Sequence, residues 1–223
     1  MTNSHDNGLV MVGIDRKQRE FERREEDILS AALALFSTPE WESVTIEQIA
    51  VAAGIGKGTV YKHFASKDEL LFRLMMKFYR GLLVSLQDLS QDGDILERFR
   101  RIFEYALRYH QQHREYRYIV EYCDRIDFKE RADESWHESF MELDKAFTEW
   151  TYPMFEQAMQ DGLISKRPVD YVHMGIHACF EGAIDMIWAG RNWCSMGTEE
   201  EVIESVTNFM MDGLIGQIKP AGN

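Results

Sequence analysis

Residues 45–64 read Thr45-Ile46-Glu47-Gln48-Ile49-Ala50-Val51-Ala52-Ala53-Gly54-Ile55-Gly56-Lys57-Gly58-Thr59-Val60-Tyr61-Lys62-His63-Phe64. Two short helices are written in this stretch. Thr45 with Gln48 makes a capping box: the hydroxyl takes an orphan backbone N–H, and the amide returns to the cap residue's own N–H. Val44 before the cap and Ile49 inside the helix add a hydrophobic staple. Gly54 closes the first helix in a left-handed conformation that costs glycine nothing. A second helix opens near Gly56 and runs to about Phe64. Two helices joined this tightly form a helix-turn-helix pattern. They cross steeply, so their contact needs a small residue such as Ala50, Ala52 or Ala53. Ile46, Ile49, Ile55 and Val60 are available to lock the pair.

The second helix carries the chemistry. Val60 and Phe64, four apart, point inward. Lys57, Thr59, Tyr61, Lys62 and His63 fall largely on the remaining faces, and Gly58 lets a polymer approach the backbone. Helix N-termini present free N–H groups and positive dipole to phosphate, and the first half of such a helix is the part that enters a DNA major groove. Lys67 sits in the first turn of the next helix, where a cation opposes the dipole; a phosphate opposite would account for it.

The formal net charge, -13 from 25 Lys+Arg against 38 Asp+Glu, argues the other way. Phosphate binding is local, however. Residues 48–67 contain no Asp or Glu but hold Lys57, Lys62, Lys67 and His63. The chain through Met76 sums to -3 and the remainder to -10, so most of the acid lies away from this window. Hydrophobic residues at 45% and charged residues at 28% fit a globular protein with a sizeable core.

Working outward, the pattern is helical almost throughout, which predicts an all-α fold of about nine helices. They are expected at 16–36, 45–53, 56–64, 66–88, 94–112, 115–124, 134–160, 168–191 and 199–218. In the first, Phe21, Ile28, Ala32 and Leu35 share a face. Ser66 with Glu69 makes a second capping box at the start of the fourth. Pro153 is expected to kink or split the seventh. The domain reading is a disordered tail over 1–15, a helix-turn-helix domain over 16–65, and an effector-binding and dimerisation domain over 66–223, with 66–88 as the connecting helix.

The segment from Ile28 to Leu71 resembles the N-terminal domain of the tetracycline-repressor (TetR) family of transcription regulators. The resemblance runs without gaps through Ala31-Ala32, Leu35-Phe36, Thr45, Ile49-Ala50, Ala53-Gly54-Ile55, Lys57-Gly58-Thr59-Val60-Tyr61, His63-Phe64, Ser66-Lys67 and Leu70-Leu71. It implies that Thr45, Lys57, Gly58, Thr59, Tyr61, Lys62, His63 and Lys67 lie at a DNA surface. Phosphate contacts are assigned to Thr45, Tyr61, His63 and Lys67, and base-edge contacts to Lys57, Thr59 and Lys62, with a phosphate contact equally open to Lys62. Two departures stand out. Gly56 replaces the family's usual small polar cap, and Glu40 occupies a position that is commonly glycine. The resemblance further implies a repressor acting as a homodimer through residues 168–218, on a palindromic double-stranded operator, released by a small-molecule effector. The alternative is a helical ligand-binding or adaptor protein without a DNA role.

Beyond residue 77 the likeness is one of layout only. Aromatic residues are dense between Leu82 and Gln160. Phe103, Tyr122, Trp136, Phe140 and Trp150, with His177 and Glu181 on a later helix, are the candidate effector-binding set. His173, His177, Glu181 and Asp185 repeat every four residues. Two histidines so spaced can share a metal, but a solvated polar stripe with His177 and Glu181 paired is the preferred reading, and no metal or cofactor is expected. Cys123, Cys179 and Cys194 form no CxxC pair and no closed disulfide framework. No nucleophile elbow, phosphate loop, dinucleotide fingerprint or HExxH is present, so an enzyme is not expected. The early apolar run Gly8–Ile14 is too short to span a membrane, and a cytoplasmic protein is the expectation.

Overall fold

The structure is a computed structural model that describes residues 6–89, 92–189 and 197–216, with side chains from Arg16 onward. Among these residues there are ten α-helices and no strand. They are α1 (Asp6–Phe36), α2 (Ile46–Ala52), α3 (Lys57–His63), α4 (Lys67–Gln87), α5 (Ile95–Gln112), α6 (Arg117–Cys123), α7 (Ile126–Arg131), α8 (Glu134–Gln160), α9 (Val169–Ala189) and α10 (Glu199–Ile215). One-turn 3-10 helices lie at Trp41–Ser43 and Arg114–Tyr116.

The chain divides into two compact units. The first is 1–77 with 115–130; the second is 78–114 with 131–223. The boundary expected at residue 65 therefore falls twelve residues later, because the opening turns of α4 bury Leu70, Leu71 and Leu74 completely. Residues 115–130, expected in the larger domain, join the first unit. There Ile119 and Cys123 are buried, and burial raises the Cys123 thiol well above its ordinary range, which makes it a packing residue.

The core of the first unit is apolar and closed. Ile28, Ala32, Phe36, Ile49, Val60 and Phe64 are fully buried. On α1 the buried face runs through Ile28, Leu29, Ala32 and Phe36; Phe36 takes the place expected for Leu35, and Phe21 is 42% exposed. The helix also starts earlier than expected. Asp6 to Asp15, read from sequence as tail, continue α1, and no proline interrupts the run to Phe36. Residues 1–5 lie outside the described residues.

In the second unit α5, α9 and α10 pack together. Phe99 stacks on Phe155 of α8 at 4.8 Å, and Phe103 meets Phe180 of α9 edge-on at 5.8 Å. Arg108 to Glu200 at 2.7 Å and Arg100 to Asn208 at 2.7 Å set α5 and α10 antiparallel. Arg167 donates to the carbonyls of Gly213 and Leu214 at the end of α10, a cation on the negative helix terminus. Helix α8 runs unbroken through Pro153. The missing N–H costs one bond, and the burial of Met154, Phe155 and Ala158 just beyond it holds the helix together. Helix α7 was not foreseen: six residues are too few to show a period. The ends expected at 191 and 218 lie outside the described residues.

Among the described residues two polar side chains, His110 and Thr207, are buried in this second core. His110 is 3% exposed, and Trp188 Nε1 donates to its backbone carbonyl at 2.7 Å. Desolvation, partly offset by the bond to Ala106 and reinforced by nearby His113, pushes its pKa down to about 4. The unfolded chain thus takes a proton near pH 6.5 that the folded chain refuses until about pH 4, so stability falls as pH drops through this window. In urea unfolding followed by circular dichroism, the wild type should lose about 3 kcal/mol between these limits through this group. His110→Phe should remove that part of the slope.

Candidate nucleic-acid interface

The reading helix is placed by a turn. Ala53 caps the C-terminal end of α2, and Gly54 follows at φ +66. Ile55 N–H returns to Ala50 O at 2.9 Å and Gly54 N–H to Val51 O at 3.1 Å, the paired bonds of a Schellman motif. The other end of α2 is held by the expected capping box. Gln48 N–H donates to Thr45 Oγ1 at 3.2 Å, and Thr45 N–H donates to Gln48 Oε1 at 2.8 Å. Both termini of a seven-residue helix are thereby satisfied.

Helix α3 opens at Gly56, which caps through backbone alone. Its inward residue, Val60, is fully buried. Lys57, Gly58, Tyr61 and Lys62 are exposed and Thr59 is half-buried. A Cβ at Gly58 would meet nothing within 4 Å, so the fold itself does not demand glycine there. What glycine leaves is bare backbone at the positive end of a helix. Lys57 Nζ lies 4.0 Å from Glu47 Oε2, with both side chains largely in water, so that pair is a weak tie. Two cations, a hydroxyl, a phenol and free N–H groups on one apolar-backed surface suit a phosphate backbone.

Three residues expected at this surface are otherwise engaged. Lys67 Nζ donates to Trp41 O at 3.0 Å and Glu42 O at 2.7 Å. It also lies over the Phe36 and Trp41 rings at 5.5 and 5.4 Å. Two carbonyls and two π-faces within the fold thus compensate its charge against the helix dipole. Burial lowers its pKa, which Asp68 and Glu42 counter in part. His63 turns toward α1: it stacks on Phe21 at 4.0 Å, its side chain is only 6% exposed, and Nδ1 is 4.0 Å from Glu25 Oε1. The Thr45 hydroxyl is spent on Gln48, though the residue is exposed. The box expected at Ser66 also differs. Ser66 Oγ accepts from Glu69 N–H at 3.0 Å, but Glu69 reaches back to Ala65 N–H instead of Ser66's own.

Residues 28–74 match the family model of bacterial regulatory proteins, tetR family. The first unit holds this tetR-like segment and is termed the tetR unit. The tetR match ends within α4, where the first unit gives way to the second. Over 91 residues the chain is 32% identical to the HTH-type transcriptional repressor KstR2 of Mycobacterium tuberculosis, which spans 40% of this chain and 46% of that repressor. The chain thus matches less than half of that relative's length. Solved structures extend the likeness. A tetR-family regulator from Syntrophomonas wolfei aligns over 90% of this chain and 99% of its own, with a TM-score of 0.66 and 20% identity. RolR in complex with resorcinol aligns over 90% and 91%, with a TM-score of 0.61 and 16% identity. At these identities the shared property is the fold.

The candidate effector residues divide between the two units. Tyr122 belongs to the tetR unit, where its hydroxyl donates to Asp68 at 3.2 Å and its ring meets Trp41 edge-on at 4.9 Å. Trp136, Phe140 and Trp150 lie along α8, and the fourteen residues from Trp136 to Trp150 span roughly 21 Å. Phe103 is buried against Phe180. His177 and Glu181 are 67% and 52% exposed and 3.8 Å apart, a solvated pair. Among the described residues no three His, Cys, Asp or Glu side chains come together as a metal site. Sequence reading missed His110. A lone polar residue on the apolar face of α5 was its only signal.

Removing the Lys67 ammonium should loosen the tetR unit. Lys67→Met strands two carbonyl acceptors, and a buried unmade bond costs about 1–3 kcal/mol. The exposed Lys62→Met should stay within about 0.5 kcal/mol of wild type. Urea midpoints for the two variants check this.

Proposed function

We propose that the chain is a transcriptional repressor that binds operator DNA as a homodimer and is released by a small molecule. The observation that carries this is the start of α3. Lys57, Gly58, Tyr61 and Lys62 are exposed, with Thr59 half-exposed, on a helix whose neighbourhood from 48 to 67 contains no acid. The similarity to a mycobacterial repressor supports it. No helix among the described residues is long and apolar enough to cross a membrane, and the proposed location is the cytoplasm. Nothing in the chemistry of this surface calls for catalysis.

A single α3 reads only a few base pairs, so a two-fold dimer with half-sites about 34 Å apart is the usual solution. The face left over on α9 and α10 fits that role. Tyr171, Met174 and Phe209 are 68%, 63% and 68% exposed. Gly175 and Gly182 are exposed between them, and a Cβ on either would meet nothing. Small residues flanked by large apolar ones allow helices of a second copy to approach closely. Most of the other apolar residues expected at the interface, including Ala183, Ile184, Ile187 and Met210, instead fill the unit's own core. RolR, similar in fold, binds resorcinol, which supports a small-molecule effector here.

The DNA reading is tested by fluorescence anisotropy on the duplex just upstream of the chain's own gene, across a salt series. Each phosphate contact contributes about 0.9 to the log–log salt slope. In a homodimer Lys62→Ala removes two such contacts and should therefore flatten the slope by about two, whereas Lys67→Met should not, although it weakens binding. No salt-sensitive binding by the wild type would refute the proposal. In sedimentation, the wild type should be a dimer and Phe209→Glu a monomer of unchanged helix content. A variant that stays dimeric would place the interface elsewhere.

A further inference from the structure

The unused polar group of the second unit is His110. Its Nδ1 lies 2.7 Å from Ala106 O. A carbonyl can only accept, so Nδ1 carries the hydrogen. With the imidazole neutral, Nε2 is a bare acceptor. That atom is buried and has no hydrogen-bond partner. Rings surround it: Phe78 at 5.0 Å, Trp188 at 5.2 Å, and Tyr79 and Tyr109 each at 6.4 Å between centroids. The Nδ1 bond fixes the ring, and Trp188 Nε1 pins the backbone beneath it, so the lone pair has one direction. A buried acceptor left unmade costs about 1–3 kcal/mol, and an apolar residue of similar volume avoids that loss.

Thr207 Oγ1 is also buried without a partner, but it is a weaker candidate. Its hydroxyl can rotate. The pairing of Arg108 with Glu200 sets His110 near the start of α10. Seven residues from Glu200 to Thr207 are about 10 Å of helix, so a single water would not serve both.

We infer that His110 anchors a small-molecule site in the α5, α9 and α10 unit, and that its ligand is a neutral, ring-bearing molecule whose hydroxyl donates to Nε2. A carboxylate would set its oxygens against the lone pair. An ammonium would be buried among rings with no counter-charge at hand, a desolvation that pairing would have to offset. The inference rests on the ligand-responsive reading above.

The test uses the full chain with phenol, anisole, benzoate and benzylamine as probes. Calorimetry gives the affinities, and ring-nitrogen NMR of histidine-labelled protein follows His110. Phenol should bind at least tenfold tighter than each of the other three, and it should move Nε2 more than Nδ1. In His110→Phe the phenol-to-anisole ratio should fall to about one. Equal binding of phenol and anisole overturns the inference. So does an Nε2 resonance unmoved at saturating phenol, tighter binding of benzoate or benzylamine, or no binding of phenol with only an ordered water at Nε2. Anisotropy on upstream DNA, run without probe, separates the two readings. Salt-sensitive DNA binding with an unmoved Nε2 overturns the site alone. Absence of DNA binding overturns the repressor reading, while the Nε2 shift still decides the site.

Discussion

The helix α2 must end and α3 must begin within a few residues, and the tetR unit depends on how that turn is made. Gly54 at φ +66 lets Ile55 and Gly54 return their N–H groups to Ala50 and Val51. Without the left-handed step those carbonyls stay orphaned and the chain leaves α2 in another direction. With it, Val60 drops into a closed core beside Ile49 and Ala50. Burying Val60 and Phe64 then forces the opposite face of α3, Lys57 to Lys62, toward water. Backbone geometry at one residue thus decides which side chains the unit offers.

Lys67 shows how the fold answers a misplaced charge. A cation in the first turn of a helix is electrostatically misplaced, and something must answer it. A phosphate would do so across solvent. The protein answers with the carbonyls of Trp41 and Glu42 and the faces of Phe36 and Trp41. The lysine therefore ties the turn after α1 to the start of α4. Tyr122 extends the same knot by bonding to Asp68 and meeting Trp41 edge-on, so residues 115–130 brace the elements that hold α3 in place.

Local chemistry was legible in the sequence, and tertiary pairing was not. Thr45 with Gln48 and Gly54 each announce a bond within a few residues of themselves, and the structure makes those bonds. The long helices were equally plain, because their apolar period repeats over several turns. Helix α7 was too short to show one. Residues 115–130 gave no sign of joining the first unit, since Ile119, Tyr122 and Cys123 look like any apolar helix until their neighbours are known. The same blindness hid the contacts of His63 with Phe21 and of Lys67 with Trp41 and Glu42. The effector candidates Trp136, Phe140 and Trp150 are spread along α8, and His110 mattered only once its unpartnered nitrogen was seen.

The net charge of -13 sits easily with these arrangements. On the proposed DNA-binding reading, acid carried mostly beyond Met76 disfavours a phosphate backbone there, and the acid-free window is the face left for DNA. Amide hydrogen exchange with and without the upstream duplex tests that claim most directly. Protection on adding DNA should concentrate in residues 45–62, strongest at the start of α3, with residues 131–189 unchanged. Protection centred on α8 or α9, or none at all, would contradict it.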